Sequence, residues 1–271
     1  FTVHRFPVGI ENPPPYAAWW NIPYVPKLNH DNPQVRRYLL DVVVRWMRRV
    51  PFDGWRLDTA NEVPDHFWRE FRREVKRVRS DAVIIGEIWG DASHWLRGDM
   101  FDAVMNYPWR SAILDWVAFR RIPPSQMDDR LRLLTMTYPR AVTYGMYNML
   151  SSHDTHRLRT VCGGDWRKVR LAFLLQMTLP GAPAIYYGEE IGMEGGNIPD
   201  NRRPMEWNPS PEGKALQEYV RKLIRLRREC PALRRGDWVT LLTDDKQNVY
   251  AYLRRQGREQ IVVVINSGEK P

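Results

Sequence analysis

Apolar residues along this chain follow two alternating patterns, a helical spacing of three or four residues and short continuous runs. The helical spacing is clear at 34–49, and another helix is predicted to begin at Pro64. Four more helical segments are predicted further along the chain: 109–119, 125–137, 166–178 and 213–229. Five short runs have the length and composition of buried strands: 52–58, 83–88, 102–107, 146–151 and 183–187. Strands that alternate with helices predict an α/β fold around a parallel sheet.

The number of strands limits the architecture. A closed (β/α)8 TIM barrel needs eight strands, and the alternating part of the chain provides five. If the fold is such a barrel, we expect the chain to hold about strands 4 to 8, with three βα units before Phe1. The first residue is not Met, and Pro271 closely follows a strand-like run. We therefore expect both ends to be cuts from a longer protein.

Three regions are expected from these patterns. Residues 1–33 are rich in Pro, Asn and aromatic side chains, which indicates a long loop or the remnant of an inserted subdomain. Residues 34–232 are expected to form the C-terminal portion of the barrel. Residues 233–271 are expected to start an all-β C-terminal domain, a β-sandwich. This last region contains three strand-like runs without helices: 238–242, 248–253 and 260–266.

Composition supports a globular domain. The 271 residues are 43% hydrophobic and include 12 Trp, enough to bury a sizeable core and to stack against sugar rings. The net charge of +9 reflects Arg residues spread along amphipathic helices such as 69–79, which indicates solvated helix faces and no nucleic-acid partner.

No run of 18 apolar residues occurs, so no membrane span is predicted. Cys162 and Cys230 lack a CxxC spacing and are predicted to be free thiols, with a single disulfide left open.

The first chemical motif is GWRLD at 54–58, in which Asp58 ends a predicted strand. Because side chains alternate along a strand, Arg56 and Asp58 point the same way. A neighbouring guanidinium favours the ionised carboxylate that a nucleophile requires, and barrel enzymes carry catalytic groups at this end of their strands. A structural ion pair at the strand end explains the motif equally well.

The second motif is IIGEIWG at 84–90, in which Glu87 lies at the end of an apolar strand. A carboxyl group in such a strand is costly unless it is used or paired. An apolar wall, expected here from Trp89, raises a carboxyl pKa and keeps the proton that a general acid donates. The alternative is a buried Glu that hydrogen bonds alone satisfy.

The third motif is SSHDTHR at 151–157, in which His153 and Asp154 directly follow a strand-like run. Together with Asp58 and Glu87, Asp154 is the third acid at the end of a predicted strand. Structural roles explain each acid singly, but this repetition is hard to reach by chance. The three carboxyl groups are therefore predicted to act in catalysis.

Neither a zinc site nor a phosphate-binding loop is predicted. His153 and His156 have no third ligand in register, so no metal ligands are assigned. The glycine-rich segments at 163–166 and 194–197 lack the strand–GxGxxG–helix context of a phosphate loop.

The three motifs belong to a longer series of six segments that covers nearly the whole chain. In chain order they are VPKLN at 25–29, GWRLDTANE at 54–62, IIGEIWG at 84–90, SSHDTHR at 151–157, YYGEEIGM at 186–193 and GGNIPDNRRPMEW at 195–207. The series resembles the α-amylase family of glycoside hydrolases, family 13. It is most similar to the branch of cyclomaltodextrinases, neopullulanases and maltogenic amylases.

The resemblance implies a role for each site residue. Asp58 matches the nucleophile, Glu87 the acid/base and Asp154 the residue that stabilises the transition state. Five further residues fall at substrate-binding positions of the family: Arg56, His153, Arg202, and, towards the acceptor side, Glu62 and Trp89. The implied reaction is retaining hydrolysis by double displacement, with transglycosylation as a side activity. Its substrates would be α-1,4 and also α-1,6 glucosidic bonds in cyclodextrins, maltooligosaccharides or pullulan.

The chain departs from the family pattern at two places. An early Asp-x-x-x-Asn-His type motif is absent, which agrees with a chain that starts late in the barrel. The family's GGNDP segment is GGNIP here, so Ile198 replaces an acid that often contacts sugar. Two alternatives therefore stay open: a catalytically silent amylase-like binding domain, and a fragment that is inactive without the missing N-terminal part.

The resemblance also bears on partners and cofactors. The expected partners are the α-glucan substrate and the missing N-terminal part of the same enzyme, and a homodimer is left open. No cofactor is expected, although calcium is compatible with the family analogy. The expected location is the cytoplasm.

Overall fold

The computed structural model describes residues 1–2, 4 and 13–268, and these fall into two compact units. The first unit comprises Phe1–Ile88 and His94–Asp102, and the second comprises Trp89–Ser93 and Ala103–Pro271. Parts of the predicted terminal regions, residues 3, 5–12 and 269–271, lie outside the described residues. None of the helices in the described part is long and apolar enough to cross a membrane.

The first unit contains two helices and a pair of parallel strands. Its elements are α1 (Pro33–Arg49), β1 (Gly54–Leu57), α2 (Asp65–Val78) and β2 (Val83–Gly86). β1 and β2 pair in parallel from Gly54 opposite Val83 to Leu57 opposite Gly86. The predicted helices are confirmed, whereas the strands are shorter than the apolar runs 52–58 and 83–88. The acids Asp58 and Glu87 therefore come just after their strands.

The carboxylate of Asp102 fastens α2 to the start of β2. It accepts hydrogen bonds from Arg72 (2.8 Å), from Lys76 (2.9 Å) and from the backbone N–H of Ile84 (2.9 Å). Burial by itself would raise the pKa of Asp102, but Lys76, Arg72 and the Ile84 amide outweigh it and hold that pKa below its usual value. Asp102 is thus held as the anion between two cations.

The second unit begins with an α/β region. Its elements are β3 (Ala103–Val104), α3 (Tyr107–Val117), α4 (Pro124–Thr137), α5 (Arg140–Gly145), β4 (Tyr147–Met149), α6 (Leu158–Val161), α7 (Trp166–Thr178), β5 (Ala182–Ala184), α8 (Pro211–Glu229) and α9 (Pro231–Arg235). β4 and β5 are parallel, and Met105 bridges to Tyr147 in the same sense. The helix predicted at 166–178 is confirmed at both ends. The short helices α5, α6 and α9 were not predicted.

An antiparallel sheet follows the α/β region. Its strands are β6 (Asp237–Asp244), β7 (Val249–Gln256) and β8 (Glu259–Asn266), in that order across the sheet. This confirms the all-β character predicted for the end of the chain. One face is buried in the core of the unit and includes Tyr250, Tyr252 and Ile265. Residues on the other face, such as Val262 and Val264, are exposed.

Arg227, on α8, caps the C-terminal end of α7. A helix leaves its last carbonyl groups without partners inside the helix. Arg227 donates to the carbonyl oxygens of Met177 (2.8 Å), Leu179 (3.1 Å) and Gly181. Burial, and then the nearby charge of Arg254, lower the pKa of Arg227 to about 10. The guanidinium is therefore a buried cation that backbone oxygens support.

Arg254, on β7, ties the antiparallel sheet to the same helix end. Its side chain is fully buried and donates to the carbonyl oxygens of Thr178 and Gly236, the second at 3.0 Å. The neighbouring inward-facing residue Tyr252 shares a hydroxyl–hydroxyl hydrogen bond of 2.5 Å with Thr178. The sheet thus contacts the α/β region through polar groups as well as through apolar packing.

We expect Arg227→Met to lower the free energy of unfolding by about 1–3 kcal/mol. Three buried carbonyl oxygens lose their donor, at about 1–3 kcal/mol each, but the removal of a buried charge offsets part of this loss. Urea-induced unfolding followed by tryptophan fluorescence measures the change. Arg228→Met, at the next and exposed position of α8, is the matched control. An equal loss in both variants would contradict the capping role.

Candidate active site

One guanidinium contacts two of the predicted catalytic carboxylates in the first unit. Arg56 Nη1 lies 2.5 Å from Asp58 Oδ1, and Arg56 Nη2 lies 3.1 Å from Glu87 Oε2. The predicted ion pair of Arg56 and Asp58 is confirmed. The two acids differ sharply in exposure, since the side chain of Asp58 is 75% exposed and that of Glu87 is 6% exposed.

Backbone hydrogen bonds hold the turn after β1 against Glu87. The N–H of Thr59 donates to Glu87 Oε2 (2.9 Å), and the N–H of Ala60 donates to the carbonyl oxygen of Glu87 (3.2 Å). The N–H of Glu87 in turn donates to the carbonyl oxygen of Leu57 (2.8 Å). Thr59 has a left-handed backbone with φ of 38°, which is strained for a β-branched residue. Such strain persists only where the surroundings enforce it.

Glu62 forms an ion pair that the sequence did not predict. Its carboxylate lies 2.5 Å from Lys27 Nζ, and its N–H donates to the carbonyl oxygen of Thr59 (2.9 Å). Glu62 therefore connects the segment around Lys27 to the turn that follows Asp58. The only signal for Lys27 was its place in the VPKLN segment, because the two residues are 35 positions apart.

The second unit brings together the other predicted polar residues. Asp154 Oδ2 lies 3.0 Å from His153 Nε2, and Asp154 Oδ1 accepts a hydrogen bond of 3.0 Å from Arg202 Nη2. Arg202 Nε also donates to the carbonyl oxygen of His153 (2.9 Å). One carboxylate thus has two cationic or potentially cationic neighbours. His153 and Arg202 keep about two-fifths of their side-chain surface exposed.

Asn201 supports the loop that carries Asp154. Its side-chain amide is fully buried and donates to the carbonyl oxygens of His153 (2.7 Å) and Thr155 (2.9 Å). Sequence reasoning missed Asn201, although it directly precedes Arg202 in the GGNIPDNRRPMEW segment. Together the two side chains hold the backbone on both sides of Asp154.

Trp89 stacks on Tyr107 in the second unit. The ring centroids are 3.8 Å apart and the planes differ by 10°. Trp89 is 53% exposed, whereas Tyr107 is buried and its hydroxyl lies 3.4 Å from the hydroxyl of Ser152. Ser152 accepts a hydrogen bond from the N–H of Asp154 (3.2 Å). The role of Trp89 as an apolar wall for a general acid stays a prediction.

Glu189 is a fully buried carboxyl group beneath the Asp154 loop. Its Oε1 accepts hydrogen bonds from the Ser151 hydroxyl and from the N–H of Leu158 (3.2 Å), so it holds both ends of the loop. Its Oε2 has no hydrogen-bond partner. Burial raises the pKa of Glu189, against the opposing effects of Ser151, Leu158, Arg110 and Arg157. Burial therefore makes the proton of Glu189 harder to remove in the folded state than in the unfolded chain.

The arrangement of His, Cys, Asp and Glu side chains decides whether the described residues can hold a metal ion. Within 1–2, 4 and 13–268, no group of three or more His, Cys, Asp or Glu side chains is arranged to hold a metal ion. Cys162 and Cys230 are both free thiols, as predicted. Calcium, which the family analogy allows, stays untested.

Comparison with known proteins agrees with the sequence motifs. The family description "Alpha amylase, catalytic domain" matches residues 16–235. A cyclomaltodextrinase of Geobacillus thermopakistaniensis is 50% identical over 98% of this chain and 45% of its own length. Neopullulanase 2 of Thermoactinomyces vulgaris is 46% identical over 100% of this chain and 46% of its own length. The chain spans about half the length of the curated relatives it matches.

A solved structure extends the agreement to the fold. A protein described as a cyclomaltodextrinase superposes with a TM-score of 0.94 at 42% identity, over 98% of this chain and 46% of that chain. This likeness confirms the TIM-barrel fold class with an antiparallel β region at its C-terminal end. The assignment of β1–β5 to barrel strands 4 to 8 and the domain boundaries stay predictions.

We expect Glu189→Gln to gain stability relative to the wild type as the pH rises. A raised pKa means that the folded state holds the Glu189 proton more tightly than the unfolded chain does. That contribution is fully present below the unfolded-chain pKa and is lost as the pH rises through the folded-state pKa. Glutamine resembles the neutral carboxyl group and does not titrate, so it does not suffer this loss.

Urea unfolding at pH 4.5, 6 and 8 measures the effect, and each unit of pKa shift corresponds to about 1.36 kcal/mol. Glu190→Gln, at the neighbouring half-buried position, is the matched control. A difference between Glu189→Gln and the wild type that does not change with pH would contradict a raised pKa for Glu189.

Proposed function

The chain belongs to the α-amylase family, and from that premise we propose that it supplies the catalytic carboxylates of a retaining α-glucan hydrolase. The observation that carries the proposal is the shared contact of Arg56 with Asp58 and Glu87. One guanidinium pairs with an exposed carboxylate and with a buried carboxyl group. Two carboxyl groups in different environments are what retaining glycoside hydrolysis requires.

The exposure of the two acids supports the assignment of their roles. Asp58 is exposed and paired with a cation, which suits an ionised nucleophile that must reach an anomeric carbon. Glu87 is buried and held by Arg56 and by the N–H of Thr59, which suits a fixed group that exchanges a proton with the glycosidic oxygen. Contacts of both acids with one guanidinium are compatible with the separation of roughly 5–5.5 Å that retaining enzymes use.

The proposed reaction has two steps. Glu87 donates a proton to the glycosidic oxygen while Asp58 attacks the anomeric carbon, so that the leaving sugar departs as an alcohol. Glu87 then removes a proton from water, which displaces Asp58 and regenerates both carboxyl groups. Asp154, which His153 and Arg202 contact, is proposed to bind sugar hydroxyls more tightly as positive charge develops on the ring.

The proposed substrates are α-1,4 and also α-1,6 glucosidic bonds in cyclodextrins, maltooligosaccharides or pullulan, with transfer to a sugar acceptor as a side reaction. The names of the similar proteins, cyclomaltodextrinase and neopullulanase, support this range. Glu62 and Trp89 are proposed to contact the acceptor side. A cytoplasmic location and a homodimer stay predictions.

The main alternative is an amylase-like domain that binds glucans without cleaving them. Such a domain has no need of a buried carboxyl group held between a cation and a backbone amide. The retention of Asp58, Glu87 and Asp154 favours the enzyme. A second alternative, activity only together with further parts of the same protein, is compatible with the proposed chemistry.

We expect Glu87→Gln to reduce kcat on β-cyclodextrin about 10²–10⁴-fold, because the general acid is lost. The assay uses the protein that contains this chain, with β-cyclodextrin, starch and pullulan as substrates. The reduction should be smaller with an α-maltosyl fluoride, whose leaving group needs no proton. Glu74→Gln, which alters only an ion pair on α2, is the matched control. A folded wild type without activity on any glucan would favour the silent binding domain.

We expect the first product released to keep the α configuration, because two displacements at one carbon restore the original stereochemistry. Proton NMR of the early reaction distinguishes the α anomer from the β anomer before mutarotation. A β product would show that water attacks directly and that Asp58 is not a nucleophile.

A further inference from the structure

Two buried cations lie close together in the second unit without an acidic partner. Arg227 is 8% exposed and Arg254 is fully buried. Among the ion pairs of the described residues, none involves either side chain. The titratable groups that act on them are Arg140, Arg234, Tyr144 and Tyr252, and none of these supplies a carboxylate.

The surrounding backbone offsets only part of this charge. The carbonyl oxygens at the end of α7 accept hydrogen bonds from both guanidinium groups. The C-terminal end of a helix carries the equivalent of roughly −0.5 charge. Two guanidinium groups carry two positive charges, so a large positive excess stays in a site of low dielectric. Burial of such charge is unfavourable unless an opposite charge is present.

Two residues that are paired across the sheet each carry a buried N–H group without an acceptor among the described residues. Trp238 and Arg254 are directly opposite each other on the antiparallel strands β6 and β7. Side chains of such a pair project from the same face of the sheet and lie next to each other. Within the part of the chain that the structure describes, neither the buried Trp238 Nε1 nor the buried Arg254 Nε has a hydrogen-bond acceptor. A buried donor without an acceptor is costly, and one acceptor between the paired residues would satisfy both donors.

A small cavity adjoins Trp238. Its volume is about 20 Å³, and Trp238, Leu179, Pro180, Thr143 and Met146 are among its lining residues. About 10–15 Å³ by this measure accommodates one water molecule. The cavity therefore has room for at least one water-sized particle, and Arg254, although paired with Trp238, is not among its lining residues. Leu179 and Pro180 directly follow Thr178, the acceptor of Arg254.

We propose that the second unit binds one small monovalent anion, such as chloride, between Trp238 Nε1 and Arg254 Nε. The anion accepts hydrogen bonds from both N–H groups and balances the charge of Arg254 and Arg227. It joins β6 and β7 to the end of α7, and so it stabilises the contact between the antiparallel sheet and the α/β region. The site is separate from the carboxylates of the proposed reaction and does not depend on that proposal.

The charge of the two guanidinium groups favours chloride over water at this site. A water molecule satisfies the two donors but leaves two buried cations uncompensated. A carboxylate or phosphate has several oxygen atoms and is bulkier than a halide. A halide has one charge and no protons, and it accepts hydrogen bonds from N–H donors in many directions, so it suits two donors on paired residues.

Chloride-dependent stability tests the proposal. Urea unfolding of the full protein is measured at constant ionic strength while sodium chloride replaces sodium gluconate, whose anion is too large for the cavity. We expect the folding equilibrium constant to rise at least tenfold between 1 and 150 mM chloride and then to saturate, because a ligand that binds only the folded state stabilises it in this way. No difference between chloride and gluconate overturns the proposal and assigns water to the site.

Two substitutions locate the effect. Trp238→Phe removes one donor but keeps an aromatic ring, so we expect it to fold and to lose most of the chloride dependence. Trp55→Phe is the matched control, because Trp55 Nε1 is also buried without a partner but lies in the first unit, away from buried arginines. An equal chloride dependence in wild type and Trp238→Phe overturns the site. Bromide-soaked crystals should show an anomalous peak within hydrogen-bond distance of Trp238 Nε1 and Arg254 Nε.

Discussion

A carboxyl group that is only 6% exposed must have hydrogen-bond donors, and the donors of Glu87 organise the candidate site in the first unit. They come from Arg56, on the neighbouring strand β1, and from the N–H of Thr59, in the turn after it. To present that N–H, Thr59 adopts a strained left-handed backbone. Asp58, between Arg56 and Thr59, is thereby placed beside the same guanidinium. The burial of one acid thus determines the position of the other.

Buried polar groups also need hydrogen-bond partners in the second unit, and this need joins separate segments there. Glu189 is buried without a charged partner in direct contact, and it holds both ends of the Asp154 loop through one oxygen. Arg227 and Arg254 are buried and have no carboxylate partner among the described residues, and they hold the end of α7 through its carbonyl oxygens. In each case a polar side chain that is costly to bury connects segments that are distant in sequence. Apolar packing alone fixes such segments less specifically, because it has no preferred direction.

Much of the fold could be predicted from the sequence, because the relevant information is local. The helix at 166–178 has a continuous apolar spacing and an Asp165 cap, and it appears with the predicted bounds. The strands proved shorter than the apolar runs, and Glu87, just after β2, shows why: its N–H still donates to Leu57 of β1, but its carbonyl oxygen accepts from Ala60 in the turn. The short helices α5, α6 and α9 have too few residues for a period to be visible.

The partners within the site were less predictable, because they are far apart in sequence. Alternation along β1 was enough to pair Arg56 with Asp58, two positions away. No local pattern pairs Lys27 with Glu62, Asn201 with the carbonyl groups beside Asp154, or Glu189 with Ser151. Motifs identified the groups that are proposed to carry the chemistry, whereas the groups that position them became visible only in the structure. The physical reason is that a reacting group must have a particular chemical identity, but its support needs only a donor or an acceptor, which many residues at many positions provide.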